Sequence, residues 1–171
     1  MTERIVHVAP GASGGLDSVR PYLRALAADG IATSPVQLPR GTAERALPAY
    51  RAAAPFGVET VVGGQSFGGR VASLLAAEGE VGGLVLICYP LHPPGRSEQW
   101  DERTEHWPRI GCPVLLLSGD RDPFARIDLL REAVKRLKRA ELHVYRGVGH
   151  GLRSVLDDAV PRIAGFVRGL D

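Results

Sequence analysis

The stretch Val58-Glu59-Thr60-Val61-Val62-Gly63-Gly64-Gln65-Ser66-Phe67-Gly68-Gly69-Arg70-Val71-Ala72-Ser73-Leu74-Leu75-Ala76-Ala77 decides the fold. Its first part is a β-branched run that reads as a strand. Its last part sets Val71, Leu74 and Leu75 at helical spacing. Between them, Gly64-Gln65-Ser66-Phe67-Gly68 fits Gly-x-Ser-x-Gly, a sharp strand-to-helix turn with a serine hydroxyl exposed at its tip. The turn is too tight for side chains two residues either side of the serine. Glycine there lets the backbones approach closely and tolerates strained angles. A chain with 21 glycines can produce such a pattern by chance, so its weight depends on what the other segments carry.

Working outward, strand-like runs recur at Ile5–Ala9, Thr33–Gln37, Thr60–Gly64, Gly83–Tyr89, Val114–Ser118 and Leu142–Tyr145. Helical patterns lie between them: Leu16, Val19, Leu23 and Leu26 in one gap, and Ile127, Leu130, Val134 and Leu137 in another. A last helix is predicted around Asp158 to Leu170, with Pro161 in its first turn, where a missing N–H is harmless. Alternation of strand and helix predicts an α/β fold, a three-layer α/β/α sandwich with about six mostly parallel strands. Unbroken apolar runs such as Leu84-Val85-Leu86-Ile87 suit strands buried on both faces. Residues 1–171 read as one domain, with Pro90 to Pro113, which holds Trp100 and Trp107, as the least regular segment and too short for a separate lid.

Composition narrows the classes. The chain has 171 residues and a net charge of +2, which suits one domain with a real core and gives no general attraction to nucleic acid. The cluster Lys135, Arg136, Lys138 and Arg139 lies on an amphipathic pattern and reads first as a solvated helix face. Cys88 and Cys112, the only cysteines, sit beside apolar runs and read as small buried hydrophobes. The stretch Met1-Thr2-Glu3-Arg4 carries no signal-peptide core, and no apolar run nears the roughly 20 residues that span a bilayer. A cytoplasmic location without membrane association is expected.

In an open parallel sheet, ligands bind beyond the carboxyl ends of the strands. The loops there carry Ser66 after the third strand, Gly119-Asp120-Arg121-Asp122-Pro123 after the fifth, and Gly147-Val148-Gly149-His150-Gly151 after the sixth. A serine needs a base, and the base needs a partner that fixes its tautomer and stabilises its charged form. Ser66 is therefore the expected nucleophile, His150 the general base and acid, and Asp122 the orienting carboxylate. Asp120 competes with Asp122 for the last role. Of the other histidines, His7 and His143 lie inside strand patterns, and His92 and His106 in the irregular segment. The oxyanion hole needs two backbone donors. Phe67 N–H, directly after the serine, and Ala12 N–H, in the loop Pro10-Gly11-Ala12-Ser13-Gly14-Gly15, are expected to supply them.

With these residues in place, the chain resembles the α/β-hydrolase superfamily over essentially its full length. It is most similar to the KANL/Tex-like branch, related to dienelactone hydrolases. The likeness rests on Gly63-Gly64-Gln65-Ser66-Phe67-Gly68-Gly69-Arg70, on Cys88-Tyr89-Pro90-Leu91-His92-Pro93-Pro94-Gly95-Arg96, and on Gly119-Asp120-Arg121-Asp122-Pro123-Phe124. The middle run is the most discriminating, because a generic hydrolase does not need it. The resemblance implies a minimal sheet without a cap, starting at the superfamily's third strand. It also implies Asp122 rather than Asp120 as the acid. Where the superfamily often has His-Gly after the first strand, this chain has Pro10-Gly11, so any role of that histidine is lost.

The expected activity is cleavage of a small-molecule carboxylic ester or thioester through an acyl-enzyme, with no metal or organic cofactor. A catalytically weak or inactive hydrolase-fold scaffold is the alternative, since the fold alone does not make an enzyme. A nucleotide-binding domain is a third reading. The first loop lacks Gly-x-Gly-x-x-Gly spacing, and no acid follows the second strand to hold a ribose. Tyr89, Leu91, Phe124 and Leu152 flank the site loops and are candidates for an acyl pocket, with ordinary packing as the alternative. Arg40 could meet a substrate carboxylate, although a solvated arginine is the simpler reading.

Overall fold

The computed structural model describes residues 3–171, so Met1 and Thr2 of the N-terminal stretch lie outside it. Six strands, β1 (Ile5–Ala9), β2 (Ala32–Pro35), β3 (Gly57–Gln65), β4 (Val81–Ile87), β5 (Val114–Gly119) and β6 (Ala140–Tyr145), form one sheet in the order β2-β1-β3-β4-β5-β6. Every pair is parallel, as strands joined by helical crossovers require. The chain starts near one edge, steps back once between β2 and β3, and then runs outward. The carboxyl ends of β1 and β3 flank that reversal, where a crevice opens.

Five of the six helices cover the sheet. Helices α1 (Arg20–Ala28) and α6 (Leu156–Arg168) lie on one face, packing Tyr22, Leu26, Ile163 and Val167 onto Val6, Val8, Val85 and Leu115. Helices α2 (Ala43–Ala53), α3 (Phe67–Glu78) and α5 (Ile127–Val134) lie on the other, packing Tyr50, Val71, Leu75 and Leu130 onto Val62, Leu84, Leu86 and Leu116. Strands β4 and β5 therefore bury both faces, and their sequences are continuously apolar for that reason. Tyr50 also ties α2 to the sheet: its hydroxyl accepts from Gly63 N–H at 2.9 Å and lies 2.8 Å from the carbonyl of His7.

Pro161 departs from expectation. Helix α6 begins at Leu156, so the proline falls in the second turn rather than the first. Its position on the exposed face leaves the unpaired Asp157 carbonyl open to water, which lowers the cost of the missing hydrogen bond. Pro48 sits the same way on the exposed face of α2.

The irregular segment between β4 and β5 folds as a strap of short turns around α4 (Trp100–Arg103). The basic cluster holds it down. Arg136 donates to the Thr104 hydroxyl at 3.0 Å, pairs with Asp101, and lies 4.5 Å over the Trp100 ring. Arg139 donates to the Gly111 carbonyl at 2.9 Å. Part of what reads as a solvated basic face is therefore the seat of the strap.

Beneath the strap, His106 is 6% exposed, and its Nε2 is 2.7 Å from the Ser73 hydroxyl of α3. Burial, with Arg70 and Arg109 nearby, pushes His106 down to about 4 from 6.5. The unfolded chain thus takes up this proton near pH 6.5 and the folded chain only near 4. Its contribution is fully present above pH 6.5 and is lost as pH falls through that interval, up to about 3 kcal/mol. Thermal unfolding at pH 7 and pH 5 should show a drop that is smaller in His106→Phe.

Candidate active site

Strand β3 delivers Ser66, and α3 begins at the next residue. Ser66 adopts φ 49° and ψ −117°, a left-handed conformation unusual for a residue with a side chain. The other non-glycine residue with positive φ among those described is Cys88, at 51°, directly after the adjacent strand β4. Both strained positions thus lie at the carboxyl edge of the sheet centre, where strain tends to accompany function. Ser66 is held by its N–H on the Ile87 carbonyl at 2.8 Å and by its carbonyl, which accepts from Arg70 N–H at 3.1 Å. Its side chain caps nothing in α3, so the hydroxyl is free to turn outward.

The glycines meet the steric demand of the turn. A Cβ on Gly64 would lie 2.4 Å from the Gly68 carbonyl carbon, and one on Gly68 would lie 2.3 Å from the Ala9 oxygen. Real Cβ atoms do not approach backbone that closely. Gly68→Ala should therefore lower stability by about 3 kcal/mol or more, as overpacking against rigid backbone does, measurable by denaturant unfolding. Gly111→Ala, where an added Cβ meets nothing within 4 Å, should be near neutral.

The three loops converge. His150 Nε2 lies 2.9 Å from Ser66 Oγ, and His150 Nδ1 lies 2.7 Å from Asp122 Oδ2. The Asp122 side chain is fully buried, and its Oδ1 accepts from Phe124 N–H at 2.8 Å. With the carboxylate accepting at Nδ1, the imidazole carries its proton there and presents Nε2 to the serine as an acceptor. Asp120 has a different partner. It is exposed, and its Oδ1 accepts from Gly147 N–H at 2.7 Å, fixing the base of the His150 loop. Geometry therefore separates the two aspartates that the residue pattern alone left in competition.

The Cys88 thiol lies beneath this assembly. Burial, and next the negative charge of Asp122, push it up to about 12, so it stays neutral and packs as a small apolar group. Phe124 is half-buried, with its ring centroid 4.4 Å from that of His150. Phe67 is the first residue of α3, where an amide has no acceptor within its own helix. Ala12 is exposed on the β1–α1 loop, next to Gly11, whose notional Cβ would sit 3.6 Å from Ser66 Cβ. Among the described residues, the Ala12 amide makes no backbone hydrogen bond. The Phe67 amide and the positive end of α3 thus adjoin the serine, and Ala12 and Phe67 line one cleft.

Three of the four candidate acyl-pocket residues are corrected. Tyr89 is 2% exposed, its hydroxyl donates to the Arg103 carbonyl at 2.6 Å, and its ring stacks edge-on to Trp107. Leu91 is fully buried in the same core. The chain turns inward after β4, so these residues pack under the strap. Leu152 is likewise buried, beneath the His150 loop.

Open space lies instead on two sides of the serine. One cleft, about 520 Å³, runs from Pro10, Ala12 and Phe67 to Leu38 and Arg40. The other, about 630 Å³, runs from Gln65 and His150 to Arg153, Asp17 and Ser18. Arg40 is exposed at the far rim of the first and has no ion-pair partner among the described residues. Leu38 and Arg153 carry no sequence signal, because their place beside the serine depends on loop paths that no motif encodes, whereas Gln65 holds the variable position of the Gly-x-Ser-x-Gly turn.

Comparison with known proteins agrees with this architecture. The family described as "Alpha/beta hydrolase domain" matches residues 20–159. A monoacylglycerol lipase from Paleococcus ferrophilus superposes with a TM-score of 0.81 at 14% identity, over 95% of this chain and 93% of that one. Est1E from Butyrivibrio proteoclasticus, solved with ferulic acid bound, gives 0.80 at 16% identity, over 98% and 89%. A Pyrococcus furiosus esterase gives 0.77 at 17% identity, over 99% and 84%. At these identities the likeness is one of fold.

Proposed function

The chain belongs to the alpha/beta hydrolase domain family, and on that premise we propose that it is a serine hydrolase that cleaves small carboxylic esters or thioesters through an acyl-enzyme. The observation that carries this reading is the continuous relay Ser66 Oγ, His150 Nε2, His150 Nδ1 and Asp122 Oδ2, with contacts of 2.9 and 2.7 Å. Within the family we assign the chain to the KANL/Tex-like branch, on its Cys88–Arg96 run.

In this mechanism Ser66 Oγ attacks the acyl carbon while its proton passes to His150 Nε2. Asp122 stabilises the imidazolium and keeps the ring aligned. The Phe67 and Ala12 amides, with the α3 terminus behind them, hold the oxyanion. His150 then protonates the leaving oxygen or sulfur as the bond to it breaks. Water enters, gives a proton to His150, and releases the acid with Ser66 restored. Because His150 must reach the leaving group, that group occupies the Gln65–Arg153 cleft. The acyl group then lies along Ala12, Phe67 and Leu38. Both clefts are open, which suits short acyl chains, and the structural likeness to a monoacylglycerol lipase and to Est1E supports an ester as the substrate.

Steady-state hydrolysis of p-nitrophenyl acetate, butyrate and decanoate tests the reading. The two short esters should turn over faster than the decanoate, and Ser66→Ala should reduce all three to background. No turnover in the wild type would support a non-catalytic scaffold instead, and turnover that survives in Ser66→Ala would mean that Ser66 is not the nucleophile.

A further inference from the structure

The strap supplies a side chain that the mechanism above does not use. His92 is 2% exposed, yet it packs as a hydrogen-bonding group rather than as an apolar filler. Its Nε2 accepts from Arg126 N–H at 3.0 Å, its Nδ1 lies 2.9 Å from the Pro93 carbonyl, and its own backbone N–H donates to the Phe124 carbonyl at 3.0 Å. An N–H facing Nε2 requires that nitrogen to be the acceptor, so the ring proton sits on Nδ1 and donates to Pro93.

Two of these contacts, to Arg126 and Phe124, fall on one five-residue loop, 122–126. Asp122 opens it and is hydrogen-bonded to His150. Phe124 lies at its middle with its ring against the imidazole. Arg126 closes it as the residue before α5. Inside the loop, Ala125 N–H returns to the Asp122 carbonyl at 3.2 Å and Phe124 N–H to its carboxylate at 2.8 Å. Among the described residues, three side chains outside the loop hydrogen-bond to it: His92, His150 and Asp128, the last meeting only the exposed side chain of Arg126. His150 holds the loop from the solvent side and His92 from the core.

We infer that His92 is a positioning residue, which fixes the Asp122–Arg126 loop so that Asp122 and Phe124 meet His150 in register. This inference rests on the proposed roles of Ser66, His150 and Asp122. The loop has no regular secondary structure to hold it, and a carboxylate displaced by a fraction of an ångström aligns the imidazole poorly. Loss of alignment lowers the rate of the chemical step while leaving the substrate clefts, which contain neither His92 nor the loop, untouched.

Three replacements test it. His92→Phe keeps the ring volume and removes the acceptor. His92→Gln can place an amide oxygen at the Nε2 position and accept from Arg126. His92→Asn can reach Pro93 but not Arg126. The measured quantities are kcat and KM on p-nitrophenyl acetate, with kcat expressed per serine titrated by a fluorophosphonate, so that misfolded protein does not count. His92→Phe and His92→Asn should lower kcat by roughly 10- to 100-fold with KM little changed, and His92→Gln should recover most of that loss. Wild-type kcat per titrated site in His92→Phe or His92→Asn would overturn the inference. So would a His92→Gln variant as slow as His92→Asn at equal melting temperature. If His92→Phe does not fold, the Gln and Asn pair decides alone. A wild type whose Ser66 cannot be titrated overturns the proposed function itself, a different result from a labelled wild type indifferent to His92.

Discussion

His150→Ala is expected to reduce ester turnover by roughly a million-fold, about as far as loss of the nucleophile itself. The reason is the sequence of contacts. Ser66 Oγ has one nitrogen within reach to take its proton, His150 Nε2 at 2.9 Å. Without it the hydroxyl must attack with its proton in place, at a pKa far above working pH. In the proposed mechanism the same imidazole delivers the proton to the leaving group, so one substitution disables both halves of the cycle. The losses should not add: His150→Ala combined with Ser66→Ala should be no slower than either alone, because the two act as a unit. Comparison of initial rates for the two single variants and the double variant checks this directly. A double variant much slower than both singles would mean that the residues act independently.

Asp122→Asn is expected to lower turnover by roughly ten-thousand-fold with the fold intact. The amide is nearly isosteric and can still pair with Phe124 N–H through its oxygen. It then presents an NH₂ toward His150 Nδ1, which favours the tautomer whose Nε2 carries the proton and cannot accept from Ser66. Asp120→Asn is the matching control. Its carboxylate accepts from Gly147 N–H and an amide oxygen can do the same, so its rate should stay within about threefold of wild type. Parallel rate measurements on the two variants separate two aspartates that stand only two residues apart.

The order of elements and the strand-turn-helix around Ser66 were legible because their physical causes are local. Steric crowding demands glycine at 64 and 68, and burial on both faces demands unbroken apolar runs such as Leu115-Leu116-Leu117. The order serine, acid, histidine was legible because each residue follows a strand, and a parallel sheet brings strand ends to one edge. What could not be read depends on how loops pack on one another. Tyr89 and Leu91 looked like pocket residues because they follow a strand, but the chain bends inward at Cys88 and buries both. His92 sat in an irregular segment and gave no sign of its Arg126 partner, 34 residues away. Arg136 read as solvent-facing because its partners, Trp100, Asp101 and Thr104, belong to a strap without periodicity. Pro161 was placed by a rule about helix starts, while exposure of the helix face decided where it could stand.

The most direct test of the proposed activity is covalent. Incubation with a fluorophosphonate probe, followed by peptide mapping, should give one adduct, on Ser66, that forms at least a thousand times more slowly in His150→Ala. No adduct on Ser66 in folded wild-type protein, or labelling equally fast without His150, would contradict the assignment of Ser66 as a nucleophile activated by His150 and Asp122.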